Sequence, residues 1–153
     1  MGIEDTYILV NPGSLVTYDE EVEYVADCVE KIAKKEMIKL LAFFENELIG
    51  MIDIKVQPRR MQHIGLLGIT IKKAYRGDGI GKELMRIAIT QAKTKLSLNQ
   101  IILGCFANNM VGLSLYTNLG FKEYGRLPKG VYRQGVYIDE VLFHKEINSE
   151  KVL

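Results

Sequence analysis

Three glycines on alternate positions constrain the fold of this chain more than any other feature of its sequence. They are Gly77, Gly79 and Gly81 in the stretch YRGDGIGKEL, which follows an apolar run and precedes residues at helical spacing. Glycine adopts backbone angles that other residues avoid, and it lets another group approach the backbone closely. Because the first turn of a helix presents free N–H groups and a positive dipole end, the stretch predicts either an anion site, often for phosphate, or a plain loop before a helix.

Two common phosphate-binding motifs do not fit this stretch. A Walker A loop requires glycine and then Ser or Thr at positions where the chain has Arg76 and Glu83. The dinucleotide fingerprint requires a third glycine where the chain has Lys82, and no βαβ unit with a ribose-binding acid is evident. The pattern that remains is Arg76-x-x-Gly79-x-Gly81, between a predicted strand and a predicted helix.

Hydrophobic spacing predicts the helices and strands around this loop. The capping-box pair Thr17 and Glu20 starts a helix over residues 18–35, and a second helix runs from Ile80 to about Lys95. The other predicted elements are the strands IKLLAFF, LIGMIDIKV, HIGLLGITI, QIILGCF, FKEYGRL and VYIDEVLFH and a short helix in NNMVGLSLYTNLGF, with a turn at ENE and a loop around PKGVYRQG.

The order of these elements predicts an α/β (α+β) fold, in which an antiparallel meander is followed by a βαβ-like crossover and helices cover both faces of the sheet. A chain of 153 residues with 48% hydrophobic content is expected to form one domain over residues 1–153.

Composition limits the partners of the protein. Twenty Lys and Arg residues against 19 Asp and Glu residues give a net charge of +1, so no general attraction to nucleic acid or to an anionic membrane is expected. The longest apolar run is too short to span a bilayer, and the start lacks the features of a secretory signal. Cys28 and Cys105 lie far apart without metal-ligand spacing, which favours a reduced, cytoplasmic protein without a metal.

A second motif accompanies the glycine loop. The segment NMVGLSLYTNLGF contains Asn109, Tyr116 and the pair Gly120-Phe121. With the loop, it makes the chain resemble the GCN5-related N-acetyltransferase (GNAT) superfamily, whose pyrophosphate loop reads Q/R-x-x-G-x-G/A and whose later motif has an Asn followed seven residues on by a Tyr in L-Y-x-x-x-G-F. The ending YRQGVYIDEVLF is similar to a closing hairpin of that family, and the resemblance covers about residues 38 to 144.

The resemblance implies a mixed, mostly antiparallel sheet in which the strand ending GITI splays from the strand ILGCF. It also implies that acetyl-CoA enters the V-shaped gap, with its pantetheine arm along the first of these strands and its pyrophosphate among backbone N–H groups of the loop. The residues that it assigns to the cofactor are Ile69, Ile71, Arg76, Gly77, Asp78, Gly79, Ile80, Gly81, Lys82 and Asn109.

The chemistry implied by the resemblance is N-acetyl transfer by direct attack of a primary amine of a small molecule or peptide on the thioester. Tyr116 matches the general acid that protonates the departing thiolate, and its alternative is an aromatic residue that packs one helix face. A backbone N–H near Ile69 is expected to stabilise the oxyanion, and no metal is required. The alternative function is a non-catalytic acetyl-CoA-binding or regulatory module.

The chain departs from its relatives at the general base. Many of them carry Glu where this chain has Leu66, so the base is left open among a water chain, Asp53 and Glu140. His63 is out of phase with position 66 on an alternating strand, so it and His144 are expected to be structural.

The front of the chain is a second departure from the family. Only about seventeen residues precede the first predicted helix, so the first strand and part of the substrate-lining helical region are expected to be missing or rebuilt. An exposed sheet edge would follow, which predicts a homodimer or a trimmed gene start.

Overall fold

A six-stranded sheet forms the centre of the computed structural model, which describes residues 17–147. The sheet has the order β1-β2-β3-β4-β6-β5, in which β3 and β4 run parallel and the other neighbours run antiparallel. The elements are α1 (Tyr18–Ala33), β1 (Met37–Phe44), β2 (Glu47–Val56), β3 (Ile64–Ile71), α2 (Ile80–Lys95), β4 (Gln100–Phe106), α3 (Met110–Asn118), β5 (Lys122–Arg133) and β6 (Val136–Glu146). The predicted order of helices and strands is confirmed.

The helix α1 starts at the predicted capping box. The Thr17 hydroxyl accepts a hydrogen bond from the Glu20 N–H at 3.2 Å, and the Glu20 carboxylate accepts one from the Thr17 N–H at 2.8 Å. The helix ends at Ala33 rather than at residue 35, because Lys35 has a positive φ of 58° that ends helical geometry.

Helices cover both faces of the sheet, as predicted. On β1, Ile38 belongs to the core cluster that contains the buried face of α2, whereas the adjacent Lys39 donates from Nζ to the Tyr24 hydroxyl of α1 at 2.9 Å. Successive strand residues point to opposite faces, so α1 and α2 lie on opposite sides of the sheet. The core lies on the α2 side and contains these fully buried large side chains: Ile52, Ile54, Met85, Leu98, Ile101 and Val141.

The β1–β2 and β5–β6 hairpins each close with two residues of positive φ. The values are 47° and 67° at Glu45 and Asn46, and 48° and 80° at Gln134 and Gly135. This pair of angles defines the turn type whose twist matches that of the flanking strands. The predicted turn at ENE is therefore confirmed.

The predicted loop around PKGVYRQG is wrong. The strand β5 continues to Arg133, so only Gln134 and Gly135 lie between the two strands. The strand tolerates Pro128 because the register with β6 shifts between Leu127 and Val131, where no regular ladder bond is required of it.

The front of the sheet ends at β1, whose outer edge pairs with no other strand within residues 17–147. The missing or rebuilt first strand that the sequence predicted lies outside these residues. Across the same stretch of chain, no helix is long and apolar enough to cross a membrane.

Candidate active site

The two central strands separate along their length. β3 and β4 pair over three residues each, Ile64–Leu66 with Gln100–Ile102, although β3 continues to Ile71 and β4 to Phe106. The outer halves of both strands therefore diverge, and the predicted splay is confirmed.

The paired end of β3 is closely packed. Gly65 lies there, and a Cβ at this position would lie 2.5 Å from Cγ2 of Ile54 and 2.7 Å from Cδ1 of Leu98. At the open end, α3 crosses the gap and contributes its first turn and its inner face to the wall of a cavity.

The cavity has a volume of about 640 Å³ and lies between the outer half of β3, the glycine loop and α3. This size is within the range of small-molecule and cofactor sites. Its lining residues are Ile69, Thr70, Ile71, Tyr75, Arg76, Gly77, Gly79, Gly81, Lys82, Asn108, Asn109, Met110, Val111, Gly112, Leu115 and Tyr116.

The three glycines of the loop serve different geometric purposes. Gly77 and Gly79 have φ values of 87° and 82°, which side chains with a Cβ adopt only under strain, and nothing lies within 4 Å of a Cβ placed on either. Gly81 lies within α2, and its Cβ would lie 3.4 Å from Cδ2 of Leu115. Gly79 is the N-cap of α2, so the unbonded N–H groups of the first helical turn begin beside the cavity.

Of the residues next to these glycines, some line the cavity and others do not. Arg76 lines the cavity and donates from Nε to the carbonyl of Ile71 at 2.9 Å, which ties the loop to the end of β3. Lys82 also lines the cavity and supplies a positive charge near the start of α2. Neither Asp78 nor Ile80 lines the cavity, and Asp78 is exposed while Ile80 packs against the core.

Tyr116 lies at the inner wall of the cavity and is buried, with 7% of its surface exposed. Its ring lies 6.2 Å from that of Phe121 and 5.9 Å from that of Phe143, so it also packs in the core. Burial raises the pKa of the phenol well above its ordinary range, and the neighbouring Cys105 raises it further. The hydroxyl is therefore protonated at neutral pH.

Two further polar side chains, those of Asn109 and Cys105, belong to the surroundings of the cavity and of Tyr116. The Asn109 side chain lines the cavity and accepts a hydrogen bond from the Gly112 N–H at 3.0 Å, so it caps α3. Burial raises the pKa of the Cys105 thiol to about 11, which keeps the thiol neutral.

The candidates for the general base lie on the face of the sheet opposite α2. Leu66 is exposed there, and Asp53, paired opposite Gly68, forms an ion pair with Lys39 at 3.5 Å. Glu140 lies on β6 opposite Phe106 of β4.

Neither histidine lines the cavity. His63 precedes β3, which corrects its predicted place within the strand, and its carbonyl accepts hydrogen bonds from the N–H groups of Asn99 and Gln100. His144 lies beside the Gln100 side chain at 3.3 Å and against the ring of Tyr124.

Several lining residues were not singled out from the sequence. They lie next to the residues of the two motifs in the sequence, and this closeness is the signal that could have identified them. The first turn of a helix that borders the gap also faces the cavity. These residues are Thr70, Tyr75, Asn108, Met110, Val111, Gly112 and Leu115.

A glycine loop at a helix start beside two diverging parallel strands suits a long ligand with phosphates at one end and an acyl group at the other, which is the kind of substrate that coenzyme A-dependent acyltransferases use. The chain belongs to the acetyltransferase (GNAT) family, whose model matches residues 5–121. Membership of this family makes it an acetyl-CoA-dependent N-acetyltransferase, as the sequence predicted.

Relatives with known sequence or structure agree with this assignment. An SPbeta prophage-derived N-acetyltransferase of Bacillus subtilis is 25% identical over 140 residues, which are 91% of this chain and 78% of the relative. The crystal structure of a GNAT-family acetyltransferase from Streptococcus pneumoniae has a TM-score of 0.78 at 30% identity, over 88% of this chain and 78% of that one.

A third likeness concerns the fold alone. The structure of a putative acetyltransferase from Salmonella typhimurium, with its cofactor acetyl-CoA, has a TM-score of 0.80 at 14% identity and covers 94% of this chain and 82% of that one.

Proposed function

We propose that this enzyme acetylates a primary amine of a small molecule or a peptide by direct attack on acetyl-CoA in a ternary complex. The observation that carries the proposal is that the glycine loop at the start of α2 and the protonated Tyr116 hydroxyl border the same cavity. A phosphate-holding end and a proton donor in one cavity suit a phosphorylated thioester substrate.

The cofactor's pyrophosphate is assigned to the backbone N–H groups from Gly77 to Lys82. Positive φ at two of the glycines turns the peptide groups of this loop, and the dipole of α2 adds positive potential. Asp78 and Ile80 belong to this set through their backbone groups, since neither residue lines the cavity.

The pantetheine arm is assigned to the outer half of β3. Ile69 and Ile71 lie in the part of the strand that has no partner on the β4 side, so backbone groups on this edge can bond to an extended ligand as a strand would. Arg76 fixes the end of this strand and Asn109 fixes the start of α3, so both shape the walls of the cavity.

The transfer requires a bond from the amine nitrogen to the thioester carbonyl carbon and rupture of the carbon–sulfur bond. A backbone N–H near Ile69 is assigned to the oxyanion that develops in between. Tyr116 is assigned to give its phenolic proton to the departing thiolate, and the proton of the amine leaves to a base.

The names of relatives support an amine acceptor but differ in its size. A probable spermine N(1)-acetyltransferase of Bacillus subtilis subsp. natto and a putative ribosomal N-acetyltransferase of Bacillus subtilis both match this chain. Their names specify a polyamine and the ribosome, which supports a primary amine of a small molecule or of a peptide for this enzyme.

The proposal is tested in two measurements on the purified chain. Calorimetry with acetyl-CoA should show one site, and a thiol-release assay should show turnover with at least one amine among spermine, an aminoglycoside and a peptide with N-terminal alanine. Acetyl-CoA alone is the control for hydrolysis. Tight binding without thiol release above this control for every amine would overturn the proposed acceptor class.

A homodimer and a cytoplasmic location complete the proposal. The outer edge of β1, which pairs with no strand within residues 17–147, supports a second copy as its partner. The free thiols of Cys28 and Cys105 support a reducing compartment. Sedimentation equilibrium and cell fractionation test these two points, and a monomer or a secreted protein would contradict them.

A further inference from the structure

The carboxylate of Glu140 lies against the backbone of Gly104 on the neighbouring strand. A Cβ placed on Gly104 would lie 2.2 Å from Oε1 and 3.1 Å from Cδ of Glu140. A side chain at residue 104 and the carboxylate of residue 140 therefore compete for the same space. Glycine at this position lets β6 project a carboxylate over β4.

The position of Gly104 places this carboxylate at the gap. Gly104 lies beyond the three residues of β4 that pair with β3. Its neighbours Leu103 and Cys105 are buried in the core with α2, so alternation points residue 104 to the opposite face of the sheet. Across the gap, Gly68 is exposed and follows the buried Leu67, so it faces the same side. Neither strand covers this part of the gap with a side chain of its own.

The cavity and the carboxylate lie on opposite sides of the diverging strands. Tyr116 approaches from α3 on the core side, and Glu140 approaches from the other face. In an acyl transfer the leaving group and the attacking amine occupy different sides of the carbonyl carbon. A proton donor on one side and a proton acceptor on the other match that requirement.

We propose that Glu140 binds the acceptor's amine and takes its proton, and that the acceptor is a cationic amine that approaches from the face opposite α2. This inference rests on the proposed function. The ammonium group of the acceptor first loses one proton to solvent, which frees the lone pair of its nitrogen. As the nitrogen–carbon bond forms and the carbon–sulfur bond breaks, a second amine proton passes to the Glu140 carboxylate and the Tyr116 proton passes to the thiolate. Asp53, another carboxylate on this face, already has its charge opposed by Lys39.

The first test replaces the carboxylate without changing its size. Glu140→Gln should lower kcat/KM for the acceptor about a hundredfold or more, while calorimetry shows unchanged affinity for acetyl-CoA. Glu146→Gln is the matched control, since Glu146 lies on the same strand and face but opposite Gln100 at the paired end of β4. Glu140→Asp should recover part of the activity that Glu140→Gln loses.

The second test displaces the carboxylate without removing its charge. Gly104→Ala puts a Cβ in the space of the carboxylate and should lower kcat/KM at least about tenfold in a folded protein. Gly125→Ala on β5 is its control, because that Cβ would lie at an ordinary 3.6 Å from Cδ1 of Leu142.

The outcomes separate this inference from the proposed function. An active wild type with a Glu140→Gln variant of equal kcat/KM would overturn the assignment of Glu140 and leave the acetyltransferase proposal standing. A loss of kcat/KM in Asp53→Asn, with Glu140→Gln unaffected, would also overturn the assignment of Glu140 and leave the acetyltransferase proposal standing. A wild type that binds acetyl-CoA and acetylates no amine would overturn the proposed function itself.

Discussion

The two inner strands of the sheet each have one fully paired edge and one edge that opens. β3 pairs with β2 from Gly65 to Ile71, and β4 pairs with β6 from Gln100 to Phe106. Between β3 and β4, pairing stops after three residues. The same strand is therefore a structural element on one side and the wall of a binding site on the other.

This difference shows how the enzyme obtains a site without lengthening its loops. The paired outer edges hold β3 and β4 in place, so the open inner edges keep backbone groups available to a ligand. β3 and β4 are also the parallel pair, and a parallel connection needs a crossover helix. That helix is α2, and the glycine loop at its start lies at the end of the same gap.

The largest effect is expected from the open side, at Tyr116. Tyr116→Phe removes the phenolic proton donor and keeps the ring that packs against Phe121 and Phe143. Turnover should fall about a hundredfold, while the affinity for acetyl-CoA stays unchanged. Tyr124→Phe on β5 is the control, since this tyrosine is exposed and lies outside the cavity. Equal turnover in wild type and Tyr116→Phe would make Tyr116 a packing residue only.

At the paired end of β3, a substitution should change the stability of the protein rather than its turnover. Gly65→Ala forces a Cβ against Ile54 and Leu98 and should lower the free energy of unfolding by about 1–3 kcal/mol. Gly68→Ala, in the open half of the same strand, places its Cβ at 3.5 Å from the Asp53 carboxylate and should change stability far less. Urea denaturation measures both. Equal losses would mean that the two halves of β3 are packed alike.

A smaller effect is expected at the glycine loop. Gly79→Ala and Gly135→Ala both place a side chain at a φ near +80° with nothing within 4 Å of the new Cβ, so both should lose about 1–2 kcal/mol of stability. Only Gly79→Ala should also weaken acetyl-CoA binding, by about tenfold or more, because of these two glycines only Gly79 lines the cavity. Calorimetry on the two folded variants measures their affinity for acetyl-CoA. Equal affinities would contradict the assignment of the glycine loop to the pyrophosphate.

The smallest expected effect is in the pH profile. A phenol donates its proton only below its pKa, and burial raises the pKa of Tyr116 above its ordinary value of about 10. Activity should therefore rise as the amine deprotonates and show no alkaline decline from Tyr116 up to about pH 10. A decline with a lower midpoint, present in wild type and absent in Tyr116→Phe, would show that the phenol is less buried in the working enzyme.

The sequence was most informative where local signals decide the structure. The capping box at Thr17, the turn at ENE and the glycine spacing before α2 each depend on residues close in the chain, and each was predicted correctly. The splay was predicted from family resemblance rather than from the spacing of residues.

The features that the sequence did not predict depend on pairing between distant residues. PKGVYR was predicted as a loop because Pro128 and two glycines resemble turn signals, but a register shift against β6 keeps this segment in the strand. The proximity of Glu140 to Gly104 depends on the register of β4 with β6, which no local pattern specifies.

The attachment of α1 has a consequence for local unfolding. Of its sixteen residues only Cys28 is buried, and its exposed apolar side chains include Val22, Val25 and Val29. Elements with little buried area open at a lower free energy than the core. In amide hydrogen exchange, α1 should therefore exchange by its own opening, at a rate set by its cap and by the Tyr24–Lys39 hydrogen bond, while β2 and β4 exchange only when the whole domain unfolds.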